Sequence, residues 1–524
     1  MSNPSGMPRR VPFDMASARR SIFQALADAR GEYGGATIAL VDGDDRALTY
    51  DEIIRASFAL GSALKPGTRS GECVGVMLPT GAAATLAFFA LSAFGRVPTM
   101  LNFTSGLASL KSALCTAQVK RIVTARRLIE VAGLQDLVAG LSGTEIIYLE
   151  DVRKKLSLAD KLTAVAGKLM PRMLSSRPDP SRLAVILFTS GTEGEPKGVA
   201  LSHQNILANV AQVRAHIGIY PGDVMLNPLP VFHCFGLVGG TILPLMAGVK
   251  VIAHPTPLQP REIVRRIRRY GATVLLSTDT FINQYARASE AGDLDTLRLA
   301  VCGAERLRDE TRAFVRRKCG ISLLEGYGVT ETSPVISVNQ IETNRPGTAG
   351  QLLAGMQARV EPVPGISGAG ALFVKGPNVM LGYIKPDAPG KIVPPEDGWY
   401  NTGDVVAIDD EGFIAIRGRL KRFAKIGGET VSLAVVENIA AALWPENAHA
   451  AVAVPDGRKG EQIVLVTDAK DARRVDLLGW AQNHGVPELS VPRRVLVMET
   501  IPALATGKTD YVAVQKMAEA DPGP

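Results

Sequence analysis

The residues best suited to chemistry form one string, Leu187-Phe188-Thr189-Ser190-Gly191-Thr192-Glu193-Gly194-Glu195-Pro196-Lys197-Gly198. It follows an apolar run, Leu183–Phe188, that reads as a strand. A strand running into a loop of Gly, Ser and Thr suits a polyphosphate. Glycines such as Gly191 and Gly194 let backbone N–H groups approach phosphate oxygens closely. The hydroxyls of Thr189, Ser190 and Thr192 donate further hydrogen bonds, and Lys197 adds a point charge. The spacing is not that of a Walker loop, because no GxxxxGK[ST] occurs here.

Such a string needs elements to hold it. Short apolar runs recur at Val74–Leu78, Arg121–Thr124, Glu145–Tyr148, Val249–Ala253 and Val274–Ser277, with helix-spaced stretches such as Pro260–Tyr270 between them. Strands alternating with helices predict an α/β fold whose parallel-rich sheets are covered by helices on both faces. The chain has 524 residues, too many for one ordinary core. A boundary is expected near Gly418–Lys421. It separates a large N-terminal domain, residues 1–419, from a small mobile α+β domain, residues 420–524. Ala450–Val454, Gln462–Thr467 and Arg494–Met498 read as the small domain's strands, and Val431–Leu443 and Val475–His484 as its helices.

Composition narrows the classes. Hydrophobic residues make up 46% and charged residues 21%, as in globular proteins. The net charge is +7, but aromatics are only 5% and no basic run is interleaved with them, which argues against nucleic acid. The five cysteines are scattered and form no CxxC pair, as expected in a reduced, cytoplasmic compartment. Residues 1–30 have no signal-peptide pattern, and Ala82–Phe94 is too short for a bilayer span and reads as a buried helix. Residues 151–177 carry seven Lys/Arg against two Asp, with Leu, Val and Met at roughly helical spacing. Two readings stay open there: a solvated helix over the sheet, or a peripheral contact with the inner membrane surface.

The TSGT-x-G-x-PKG string resembles the signature of the adenylate-forming superfamily, which includes acyl-CoA synthetases, adenylation domains and luciferases. Further motifs follow in the family's order. Pro230-Val231-Phe232-His233 is similar to the motif whose histidine lies near the carboxylate, and Cys302-Gly303-Ala304-Glu305 to the adenine-side loop. Gly326-Tyr327-Gly328-Val329-Thr330-Glu331 resembles the motif that holds adenine and metal. Asp404, within Trp399–Asp404, stands where the ribose acid is expected. Gly418-Arg419 resembles the start of the hinge, and Gly507-Lys508 the catalytic lysine motif. The resemblance implies ATP and Mg²⁺, with Thr189 and Glu331 as metal donors and Tyr327 stacked on adenine. It also implies that Lys197, Arg419 and Lys508 offset charge as a carboxylate attacks the α-phosphate, with His233 and Thr330 beside the reaction. For the second step it implies a domain rotation about Lys421, with Lys425, Gly427 and Gly428 lining the thiol's approach.

Several local features resemble the ligase domain of bacterial bifunctional acyltransferase/acyl-ACP synthetases, the Aas proteins. Arg422 stands where Asp is common, Leu433 where Pro is common, and Glu193 where Thr is usual. This implies a long-chain fatty acid as acyl donor and the phosphopantetheine thiol of acyl carrier protein as acceptor. A long-chain fatty acyl-CoA synthetase using coenzyme A is the alternative, and a non-catalytic lipid- or partner-binding homologue is the reading from another class. No HxxxxD acyltransferase motif occurs. Residues 420–524 are close to charge balance, so an acidic carrier would need local basic pairs such as Arg473-Arg474. Glu193 is expected to turn away from phosphate or to pair with a cation, because a carboxylate beside triphosphate is unfavourable.

Overall fold

The computed structural model describes residues 12–190, 196–426, 429–456, 460–503 and 509–521. By compactness the chain forms two units. The first holds Met1–Gln357 and Lys375–Tyr400, and the second Ala358–Val374 and Asn401–Pro524. The expected division after residue 419 concerns a hinge. The compact units divide earlier, because the antiparallel strands preceding the hinge pack with the chain that follows it.

The first unit is built on two sheets. Among the described residues one has nine strands and the other eight. In the larger sheet, Ile38–Val41, Lys250–Ala253, Val224–Asn227, Val274–Ser277, Leu299–Cys302 and Leu323–Gly328 are neighbours in that order and run parallel. Several are buried throughout, including Val224–Asn227, Val274–Ser277 and Leu299–Cys302. That is why they read as unbroken apolar runs rather than as alternating ones. In the second sheet, Leu183–Ser190, Val97–Met100, Cys73–Val76, Arg121–Thr124 and Glu145–Tyr148 are parallel neighbours.

Local chemistry fixes the helices. Ser21, Thr49, Ser157 and Ser202 each close a reciprocal capping box at a helix start. Helix Pro260–Tyr270 begins with Pro and ends at Gly271 in the left-handed conformation, the usual Pro-in, Gly-out arrangement. Ala82–Ala93 is a helix of 12 residues, largely buried. No helix among the described residues is long and apolar enough to cross a membrane. One buried apolar cluster joins residues of both sheets, including Leu40, Val76, Leu187, Ile252 and Val301.

The second unit holds most of a four-stranded sheet, Gln357–Pro362, Gly370–Lys375, Tyr400–Ile408 and Ile414–Arg419, whose last two strands pair antiparallel. It also contains a sheet in which His449–Asp456 pairs antiparallel with Gly460–Thr467. Gly460–Thr467 in turn pairs parallel with Arg494–Val497 across the helix Arg474–Asn483, the expected βαβ unit. Leu433–Leu443 packs its buried face, Leu433, Val436, Ile439 and Ala440, into this unit's core. The guanidinium of Arg422 lies 3.6 Å over the ring of Tyr511, and Glu437 accepts hydrogen bonds from both side chains.

Candidate active site

The phosphate-loop string folds as a hairpin. Leu183–Ser190 pairs antiparallel with Pro196–Ser202, setting Thr189 opposite Lys197. Gly191, Thr192, Glu193 and Gly194 lie outside the described residues, as do Gly427, Gly428 and Lys508. The outer edge of Pro196–Ser202 pairs with Gly382–Lys385, with Tyr383 opposite Val199. The Lys197 ammonium therefore comes within 5.8 Å of the Tyr383 ring centroid.

Tyr383 links this strand to Glu331. Its hydroxyl donates to Glu331 Oε1 at 2.5 Å and contacts the Tyr400 hydroxyl at 3.1 Å. Glu331 is buried in the short helical turn Thr330–Thr332. Burial and the nearby Glu331 charge push the Tyr400 phenol far above its ordinary range, so it stays protonated. Burial and the same carboxylate raise the Cys234 thiol, which makes it a poor nucleophile. The turn is held from behind by Asn378, which is fully buried. Its side-chain amide donates to Thr332 O at 2.7 Å, and its backbone carbonyl accepts from Ser333 Oγ at 2.9 Å.

Gly303, Ala304, Gly326, Tyr327 and Gly328 come together along one wall of a cavity. Gly328 admits no side chain: an added Cβ would lie 2.0 Å from Pro334 O. The rest of the wall is apolar, with Val213, Ile217, Phe235, Leu243 and Val338 among its residues. Asn209 also lines it, but its amide donates to Val335 O at 2.8 Å and its carbonyl accepts from Val335 N at 3.1 Å. Phe235 opens a π-helical stretch, Phe235–Ile242, just after His233. The His233 ring meets Phe232 edge-on, with centroids 4.8 Å apart.

Other expected residues sit apart from this wall or in the second unit. Glu305 turns to Thr280, accepting from its N–H at 3.1 Å and its hydroxyl at 2.9 Å. Within the second unit, Asp404 is almost fully buried and pairs with Arg419 Nε at 2.9 Å across adjacent strands. Lys421 occupies the single turn Leu420–Arg422, and exposed Lys425 follows in Phe423–Ile426. Tyr383, Asn378, Asn209 and the apolar wall residues Val213, Ile217, Leu243 and Val338 were not singled out in the sequence. Tyr400 lay within a recognised motif without a role.

A lysine and hydroxyls on a hairpin, a buried carboxylate at its edge and a glycine-rich wall on an apolar cavity together suit activation of an organic acid by a nucleotide. Comparison with known proteins agrees. The family model for AMP-binding enzymes matches residues 27–384. The chain is 28% identical over 500 residues to a long-chain-fatty-acid–CoA ligase of Salmonella typhimurium, covering 88% of each. It is 30% identical over 480 residues to a feruloyl-CoA synthase of Amycolatopsis, covering 88% of this chain and 92% of that one. The crystal structure of ATP-bound MatB from Rhodopseudomonas palustris superposes with a TM-score of 0.82 at 25% identity, over 95% of this chain and 99% of that one. The chain belongs to the AMP-binding enzyme family and is an AMP-forming acid–thiol ligase. The non-catalytic reading is set aside, and the narrower likeness to the Aas ligase domain is not confirmed.

Proposed function

We propose that the protein activates a fatty acid with ATP and transfers the acyl group to coenzyme A. The observation that carries this reading is the apolar cavity running from the Gly303–Ala304 and Gly326–Gly328 wall. Its lining is almost wholly apolar, as an alkyl chain requires. An alkyl chain suits it better than the phenolic ring of a ferulate, because the amide of Asn209 is already committed to Val335.

In the first step Lys197, Arg419 and Lys508 balance the charge that develops as the carboxylate oxygen bonds the α-phosphorus and pyrophosphate leaves. Tyr327 stacks on adenine, Gly303 and Ala304 flank it, and Asp404 accepts from the ribose hydroxyls. Thr189, Ser190, Gly191, Thr192 and Gly194 cradle the phosphates. Thr189 and Glu331 fit Mg²⁺: both present oxygen, and Mg²⁺ with a nucleotide needs only one or two protein oxygens beside phosphate and water. In the second step the chain turns at Lys421, and Lys425, Gly427 and Gly428 line the path of the thiol. The thiol sulfur bonds the acyl carbon, and AMP leaves.

Coenzyme A fits better as acceptor than the carrier protein expected from Arg422–Leu433, since the relatives above are named CoA ligases. Pyrophosphate exchange across fatty acids of increasing length, with ferulate as comparison, tests the acid. Offering coenzyme A and holo-carrier protein in parallel tests the acceptor. Exchange with ferulate alone, or preference for carrier protein, would replace the corresponding half of the proposal.

A further inference from the structure

We propose that helix Leu158–Leu169 and the turn Pro171–Leu174 form a docking surface for an anionic lipid bilayer. Ordinarily a surface helix turns its large apolar residues inward. Here the small residues face in: Ala164 and Gly167 are buried, and Gly167 lies directly against the Phe58 ring. Leu158, Leu162, Val165 and Leu169 are 53–73% exposed, and Met173 beyond the helix is 70% exposed. At helical periodicity the four helix residues fall within an arc of roughly 60°. They make one continuous stripe pointing away from the protein.

The helix is firmly seated, so this face is not a detached end. Ser62 Oγ donates to Asp160 at 2.6 Å, and Lys168 pairs with Asp51 at 3.0 Å. A helix of 12 residues is about 18 Å long, too short to span a bilayer but suited to lying in its interface.

Charge selects the occupant. Exposed Arg153, Lys154, Lys155 and Lys161 flank the stripe in sequence, while Lys168 and Arg172 pair with Asp51 and Asp28. The two acids within residues 151–177 are engaged: Asp160 closes the helix cap and Asp151 pairs with Arg126. An apolar stripe with a basic rim matches acyl chains beneath anionic headgroups. A second copy of the chain would bring like-charged rims together, which opposes self-association. Docking of this kind is independent of the reaction proposed above.

Sedimentation of the full-length protein with vesicles tests it. The wild type is expected to sediment with phosphatidylglycerol–phosphatidylethanolamine vesicles, to be released by raised salt, and to bind phosphatidylcholine vesicles more weakly. Leu162→Glu with Leu169→Glu should weaken binding by about a hundredfold while leaving the circular dichroism spectrum unchanged. Lys154→Glu with Lys161→Glu, which leaves the stripe intact, should weaken anionic binding and reduce its salt dependence. A wild type left in the supernatant, or a leucine variant that binds as tightly as wild type, would overturn the proposal. So would a wild-type dimer that the leucine variant converts to monomer, which would assign the face to a second copy.

Discussion

Glu331 depends on a partner far away in the chain. The Tyr383 hydroxyl reaches it from 52 residues on. Tyr383→Phe keeps the ring beside Lys197 but removes a hydrogen bond to a buried carboxylate, a loss of roughly 1.5–3 kcal/mol. The adenylation rate, read by pyrophosphate exchange, should fall roughly tenfold or more, and the melting temperature should fall by a few degrees. An unchanged rate would show that Glu331 needs no such orientation. Thr189, Lys197 and Glu331 were legible in the sequence because motif chemistry is local. Tyr383 and Asn378 were not, because their relevance lies in strand pairing and in a buried hydrogen bond to Thr332 that no local pattern announces.

Two helical glycines make a test of opposite signs. Alanine in a helix gains up to about 1 kcal/mol over glycine when space allows. At Gly479 no atom lies within 4 Å of an added Cβ, so Gly479→Ala should raise stability. At Gly167 the same methyl would lie 2.2 Å from the Phe58 ring, so Gly167→Ala should lower it by about 1–3 kcal/mol. Urea denaturation of both variants against wild type checks the pair, and matching signs would refute the packing argument. The sequence located elements well where period and punctuation agreed. Arg121–Thr124, Val274–Ser277 and Pro260–Tyr270 fall where they were expected. The π-helical stretch Phe235–Ile242 has no such signature, since its backbone follows from close approach: a Cβ at Gly236 would lie 2.3 Å from Pro230 O.

Distant parts of the first unit are joined at His203. Its ring is buried, and Nδ1 accepts from Ile22 N at 3.2 Å, 181 residues earlier in sequence. Burial lowers its pKa from 6.5 to about 4, and the N-terminal end of its helix also disfavours imidazolium. Between those values the unfolded chain binds a proton that the folded one refuses. This contribution is therefore complete above pH 6.5 and lost as pH falls toward 4, about 3 kcal/mol in all. Stability of His203→Gln should vary less with pH across that window than that of wild type, and equal slopes would exclude His203 as the source. The proposed turning of the small domain makes a second prediction at this scale. Lys508→Ala should slow adenylate formation by about a hundredfold or more yet spare thioester formation from supplied acyl-adenylate. Equal loss of both steps, measured separately, would count against an exchange of faces. The expected hinge rests on a cluster of Gly, Arg and Lys. The earlier division at residue 357 was not legible, because compactness is set by which strands pair across long gaps.

The phosphate-loop string passes into a strand, Pro196–Ser202, before any helix begins. It runs to Ser202 as the partner of Leu183–Ser190, and the helix beyond opens on its own Ser202–Asn205 cap. Anion sites at helix starts hold phosphate with a fixed dipole that cannot be withdrawn. A strand lacks that standing field, so under the proposed reaction cationic side chains, two of them carried by the smaller unit, add to the loop's backbone N–H groups. Charge carried on side chains can be withdrawn once pyrophosphate has gone, which a helix dipole does not permit.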